Sequence, residues 1–175
     1  SSDLMIEKIA SACIKAHANT NHFYDEYLPY EFHLRMVEQV HKDFAHLLKF
    51  NMFQEEHKES TQITEDITQQ VISAACYGHD LIEDARLSYN DVVKIMGVPA
   101  AEIVYACTNM KGKNRAQRAN GDYYQGIRET AGAVFVKLCD RIANVQYSKM
   151  TKSPKYEMYK KENFTFCEYM GYHHN

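Results

Sequence analysis

The apolar run Val71, Ile72, Ala74, Ala75 and Cys76 leads into Gly78-His79-Asp80-Leu81-Ile82-Glu83-Asp84. A helix that enters a core on such residues ends there on an imidazole and three carboxylates. At about 100° per residue, His79, Asp80, Glu83 and Asp84 fall within roughly 140° of one helix circumference. Clustered carboxylates repel one another and resist burial, so the patch is costly unless a cation neutralises it. The spacing predicts a helix to about Ala85 that carries a metal site. An ordinary solvated helix end would explain the acidic residues. It would not explain the histidine, nor the matching residues elsewhere in the chain.

The rest of the chain reads as helices around one core. Its 175 residues suffice for one domain, with a core over about 4–149 and a tail over 151–175. Three prolines and seven glycines leave long uninterrupted stretches, which favours an all-α bundle. Helices are expected over about Leu4–Ala18, Pro29–Phe50, Thr64–Ala85, Pro99–Asn109 and Arg128–Lys149. Thr64 serves as an N-cap, and Pro29 and Pro99 sit in first turns. Ser88 with Asp91 marks a short capped helix closed by Gly97. Met110–Gly126 reads as a loop or a helical excursion, and Asn51–Gln62 as a polar loop. The opening Ser1-Ser2, without methionine, reads as a trimmed start outside the fold.

A net charge of −3 gives no global basicity for duplex nucleic acid. No apolar run approaches the roughly 18 residues of a membrane span. Five isolated cysteines read as small core residues in a reducing, cytoplasmic setting.

On the second helix, Phe32, Met36, Val37, Val40, Phe44, Leu47 and Leu48 form an apolar arc with His33 in its middle. On the last strong helix, Ala131, Val134, Phe135, Leu138, Ile142 and Val145 form another arc. Lys137, Asp140, Asn144 and Tyr147 line a separate stripe there. His33 alone would pass as a core histidine, and Asp140 alone as the partner of Lys137 or Arg141. Together with His79-Asp80 they place two imidazoles and two carboxylates on three helices that share one core. That donor set suits Mn²⁺, with Zn²⁺, Fe²⁺ or Co²⁺ as alternatives.

This order of histidine, histidine-aspartate and distant aspartate resembles the HD-domain phosphohydrolase superfamily. With its extra acidic pair, the chain is similar to the hydrolase domain of the RelA/SpoT family and its stand-alone metazoan relatives. Pro29-Tyr30-Glu31-Phe32-His33 resembles one segment of that family. Lys137-Leu138-Cys139-Asp140-Arg141-Ile142-Ala143-Asn144 resembles another, and Thr108 followed by Lys111, Arg115 and Arg118 a third.

The resemblance implies that His33, His79, Asp80 and Asp140 ligate the metal, and that Glu83 and Asp84 activate the attacking water. It implies substrate contacts from Tyr30, Lys111, Arg115, Arg118, Lys137 and Asn144, with Lys113 as added positive charge. The implied reaction removes a phosphate or diphosphate from a nucleotide such as (p)ppGpp or NADPH. Alternatives are an HD-type nucleoside 5′-phosphatase or deoxynucleotide phosphohydrolase, an oligonucleotide phosphodiesterase, and a non-catalytic protein that sequesters a nucleotide. The partner expected is a nucleotide, with a homo-oligomer left open.

Two positions depart from the family pattern. Tyr24 and Asp25 stand where the family carries a basic pair, and Leu34 stands where it carries proline. Leu34 reads as structural. The acidic, tyrosine-bearing rim predicts that (p)ppGpp is a poor substrate and that a base or ribose stacks there.

Overall fold

The computed structural model describes residues 1–48, 62–109 and 121–171. Eight α-helices occur among them, together with a two-stranded antiparallel ribbon, so the fold class is all-α. The helices are α1 (Ser2–Asn19), α2 (Tyr30–Phe44), α3 (Gln62–Gly78), α4 (Tyr89–Met96), α5 (Val98–Cys107), α6 (Gly121–Glu129), α7 (Ala133–Met150) and α8 (Lys155–Tyr169). The ribbon pairs β1 (Phe23–Tyr24) with β2 (Leu28–Pro29).

Local chemistry sets most of these boundaries. Ser1 is the N-cap of α1, accepting from the Leu4 amide, so the chain's opening residues belong to the fold after all. Ser88 and Asp91 form the full reciprocal capping box on α4, and Gly97 closes it. Pro99 sits in the first turn of α5. On α1, Ile9, Ala10, Cys13 and His17 recur at helical spacing and face inward.

Several expected elements shift. α2 stops at Phe44 and passes into a 3₁₀ turn over Ala45–Leu47, leaving Leu47 65% exposed and cutting the apolar arc short. α3 begins at Gln62, so Thr64 lies inside its first turn rather than before it. α3 also ends at Gly78, and His79–Asp84 follow as turns rather than as helix. Packing is close at that stop: a Cβ at Gly78 would overlap the Met96 side chain of α4. The helix expected from Arg128 is broken into α6 and α7 by Gly132, whose φ of 83° is cheap for glycine alone. Ala131 therefore lies exposed in the break instead of on the core arc. The deepest stripe of α7 is Ala133, Val136, Cys139 and Ala143, and Val134, Phe135, Leu138 and Ile142 pack beside it.

The core sits where α2 meets α1, α3 and α7, and where α5 packs on α3 and α7. Leu34 and Val37 are fully buried there, and removing the side chain at Leu34 should cost about 2–5 kcal/mol. Leu34 therefore has the structural role expected of it. The region read as a tail forms α8, and its Phe166 together with Met170 beyond it joins the core. All five cysteines are free. Among the described residues, no helix is long and apolar enough to cross a membrane.

Candidate metal centre and cleft

Three helices bring the expected ligands together. His33 lies in the first turn of α2, Asp140 in the middle of α7, and His79 and Asp80 just past the end of α3. His33 Nε2 is 3.0 Å from Asp140 Oδ1. His79 Nε2 is 3.0 Å from Asp80 Oδ2 and 3.3 Å from Asp140 Oδ1. The donor atoms of His33, His79 and Asp80 all lie within 4.8 Å of one another. Both histidines are buried, at 1% and 3% exposure.

The tautomer of His79 follows from the helix end. The last carbonyls of α3 lack intrahelical partners, and Cys76 O accepts from His79 Nδ1 at 2.8 Å. In the neutral ring Nε2 would then turn a lone pair to two carboxylates, and this buried atom has no hydrogen-bond partner. Such an arrangement calls for positive charge. Burial pulls the His79 pKa down, but Asp80 and Asp140 outweigh it and hold the value well above its usual range. Burial likewise opposes ionisation of Asp140, yet His79 and the His33 hydrogen bond hold its carboxyl well below the usual range. A divalent cation meets the same demand, and the donors are of the right kind to hold one.

A set of hydrogen bonds orients these ligands. Tyr30 donates to Asp80 Oδ2. Asn144 Nδ2 donates to Asp140 Oδ1 at 3.0 Å, and Tyr24 donates to Asn144 Oδ1 at 2.7 Å. The Tyr24 ring stacks on His33 with centroids 4.5 Å apart. Tyr30 thus supports Asp80 from behind, and it does not line the cleft as a substrate contact would.

The acidic pair lies beside the ligands despite the loss of helix. Asp80, Glu83 and Asp84 offer oxygens within 4.8 Å of one another. Asp84 N bonds Asp80 O at 2.9 Å, which keeps one helical turn alive locally. Burial first, and then the charges of Asp80 and Asp84, push the Glu83 pKa up to about 7. The Asn109 amide holds its Oε1 at 3.3 Å. Thr108 instead bonds Val104 O and finishes α5.

Beyond the acids opens a cleft of about 830 Å³. Asp80, Glu83, Asp84 and Asp140 line one end, and Lys137 and Asn144 stand along α7. Lys137 Nζ is 3.7 Å from Asp140 Oδ2 and 5.8 Å from the Tyr123 ring centroid. Lys111, Lys113, Arg115 and Arg118 lie outside the described residues.

Sequence reasoning missed the far wall, which α8 supplies through Tyr159, Lys161, Thr165 and Phe166. Arg141 pins that wall, bonding Glu162 at 2.9 Å and lying 4.6 Å from the Tyr159 and Phe166 ring centroids. Pro154 ahead of Tyr159 and Phe166 was the available signal, a helix start followed by aromatics seven residues apart. Also missed were His17 and His22, whose rings stand 4.3 and 4.1 Å from Tyr30. Outside the cleft lining, on the Asn144 side of α7, Tyr147 donates to Asp25 Oδ2 at 2.6 Å.

Compared with known proteins, the chain matches no family model, no curated protein and no solved structure.

Proposed function

We propose that this protein is a metal-dependent nucleotide phosphohydrolase of SpoT-like type. One observation carries the reading: the buried, unpartnered Nε2 of His79 faces two carboxylates at the acidic end of a large cleft. The resemblance of the His33, His79-Asp80 and Asp140 segments to HD-domain phosphohydrolases supports it. His33, His79, Asp80 and Asp140 would hold the ion, with Mn²⁺ preferred. A divalent cation there supplies positive charge against phosphate oxygens and acidifies water at neutral pH.

The chain's own residues supply the rest. Glu83, with its pKa near 7, takes a proton from the attacking water at neutral pH. A water-oxygen-to-phosphorus bond forms, the phosphorus–oxygen bond to the nucleoside breaks, and the leaving oxygen is protonated by solvent in the open cleft. Asp84, raised by burial and by Asp80, shares the negative charge beside Glu83. Lys137 stays cationic because Tyr123 and Asp140 outweigh its burial, and it faces the phosphate. Tyrosines on the wall opposite offer stacking surfaces for a base.

The rim narrows the substrate. Tyr24 and Asp25 are engaged with Asn144 and Tyr147, so no basic pair is available to a diphosphate on that side. A panel of nucleotides with Mn²⁺, scored by which phosphate leaves, tests the reading. Turnover of a nucleotide less charged than (p)ppGpp is expected, and Tyr24→Arg with Asp25→Lys should raise (p)ppGpp turnover. Tight binding without release of any phosphate would sink the enzyme reading and leave a sequestering protein.

A further inference from the structure

The helices that carry the candidate centre meet a second time, deeper in the core. Glu38 and His41 stand one turn apart on α2 and face Cys76 on α3. All three are buried, at 3%, 2% and 0% exposure, and their donor atoms lie within 4.8 Å of one another. His41 Nδ1 is 2.5 Å from Glu38 Oε1 and 3.3 Å from Ser73 Oγ. Its Nε2 is 2.7 Å from Gln69 Oε1. A ring nitrogen facing a carbonyl oxygen has to donate, so Nε2 carries the ring proton. In the neutral ring, Nδ1 is then a lone pair aimed at a carboxylate, and a proton or a metal ion must lie between them.

We propose that Glu38, His41 and Cys76 form a second metal site, of the zinc class, sealed in the core. Carboxylate, imidazole and thiolate together suit a borderline-soft ion that accepts four-coordinate geometry. Gln69 makes the outer hydrogen bond by which a metal-ligating histidine is usually oriented. Cys139 on α7 lies near enough to Cys76 to influence its thiol and is a further sulfur donor.

The competing arrangement is a proton between Nδ1 and Oε1. A proton would satisfy Nδ1 and Oε1, on the ring as an ion pair or on the carboxyl as a neutral hydrogen bond, but it would not involve the Cys76 sulfur. It gives no account of why the Cys76 sulfur packs against both partners. An ion uses all three donors and ties α2 to α3 directly behind His33 and His79.

Cobalt separates the possibilities, because the candidate centre at the cleft has no sulfur ligand. The full chain, produced with Co²⁺ as its only transition metal, should hold a second equivalent of cobalt and show a thiolate-to-cobalt charge-transfer band in the near ultraviolet. Cys76→Ser should lose that equivalent and the band. Asp140→Asn should lose the other equivalent and keep the band. The wild-type spectrum decides whether or not a variant folds. A cobalt-loaded wild type without the band would overturn the proposal, and so would a band that survives Cys76→Ser.

Discussion

The two buried histidine clusters draw on the same helices and differ in access. The outer one has two carboxylates that look into an 830 Å³ cleft, and it has Glu83 and Asp84 at its side. The inner one has its carboxylate at 3% exposure, sulfur in place of a second carboxylate, and no cleft residue. Access decides what each can do. An ion beside the cleft could meet phosphate and exchange with solvent, while an ion among fully buried donors could only hold helices together. The few residues that separate His33 from His41, and His79 from Cys76, divide chemistry from architecture.

The sharpest way to break this contrast is to remove a ligand at the cleft. Asp140→Asn should reduce phosphate release to background and cost one equivalent of metal, read by elemental analysis. Substantial remaining turnover would mean that the outer cluster is not the reacting centre. Next in size, Glu83→Gln with Asp84→Asn should keep the metal and lose about 10²- to 10⁴-fold in turnover. If metal is lost as well, the pair supports the ligands rather than activating water.

Acidity sharpens the same point. Burial raises the Glu83 pKa, so turnover should climb with pH along an acid limb that Glu83→Gln flattens. Stability runs the other way in metal-free protein. The folded pKa of Glu83 lies above its ordinary value of 4.5, so its contribution favours folding below that value and is lost as pH rises through about 7. Denaturant midpoints across pH 4.5–7 should fall, and less so in Glu83→Gln.

Tyr30→Phe removes the hydrogen bond to Asp80 and should weaken the outer ion by about 10- to 100-fold, read by metal titration. An unchanged affinity would show that packing alone orients Asp80. Smallest of all, Ser88→Ala should cost about 1 kcal/mol of stability by removing the α4 cap, with metal content unchanged at both clusters.

Short-range chemistry was legible in the chain because each signal depends on neighbours in sequence. The Ser88–Asp91 box, Pro99 in a first turn, Gly97 as a closing residue and the helical periodicity that makes the fold all-α are signals of this kind. That His33, His79, Asp80 and Asp140 come together was legible for a related reason: they stand beside apolar faces that meet in one core. What fails is anything set by contact across the fold. At the end of α3, Met96 of α4 fills the space beside Gly78, a contact that no pattern within residues 71–85 reveals.

The hydrogen bonds of Tyr30 to Asp80 and Tyr24 to Asn144 span 50 and 120 residues, so they depend on how the helices cross. The same holds for α8. Its aromatic residues could be seen, but the contacts of Arg141 with Glu162 and two rings, and the packing of Phe166 in the core, turn that segment into the wall of a cleft. Composition and local pattern determine which groups must be buried and which helices carry them. Long-range packing alone decides which of them face one another, because burial fixes a side chain's depth and not its partner.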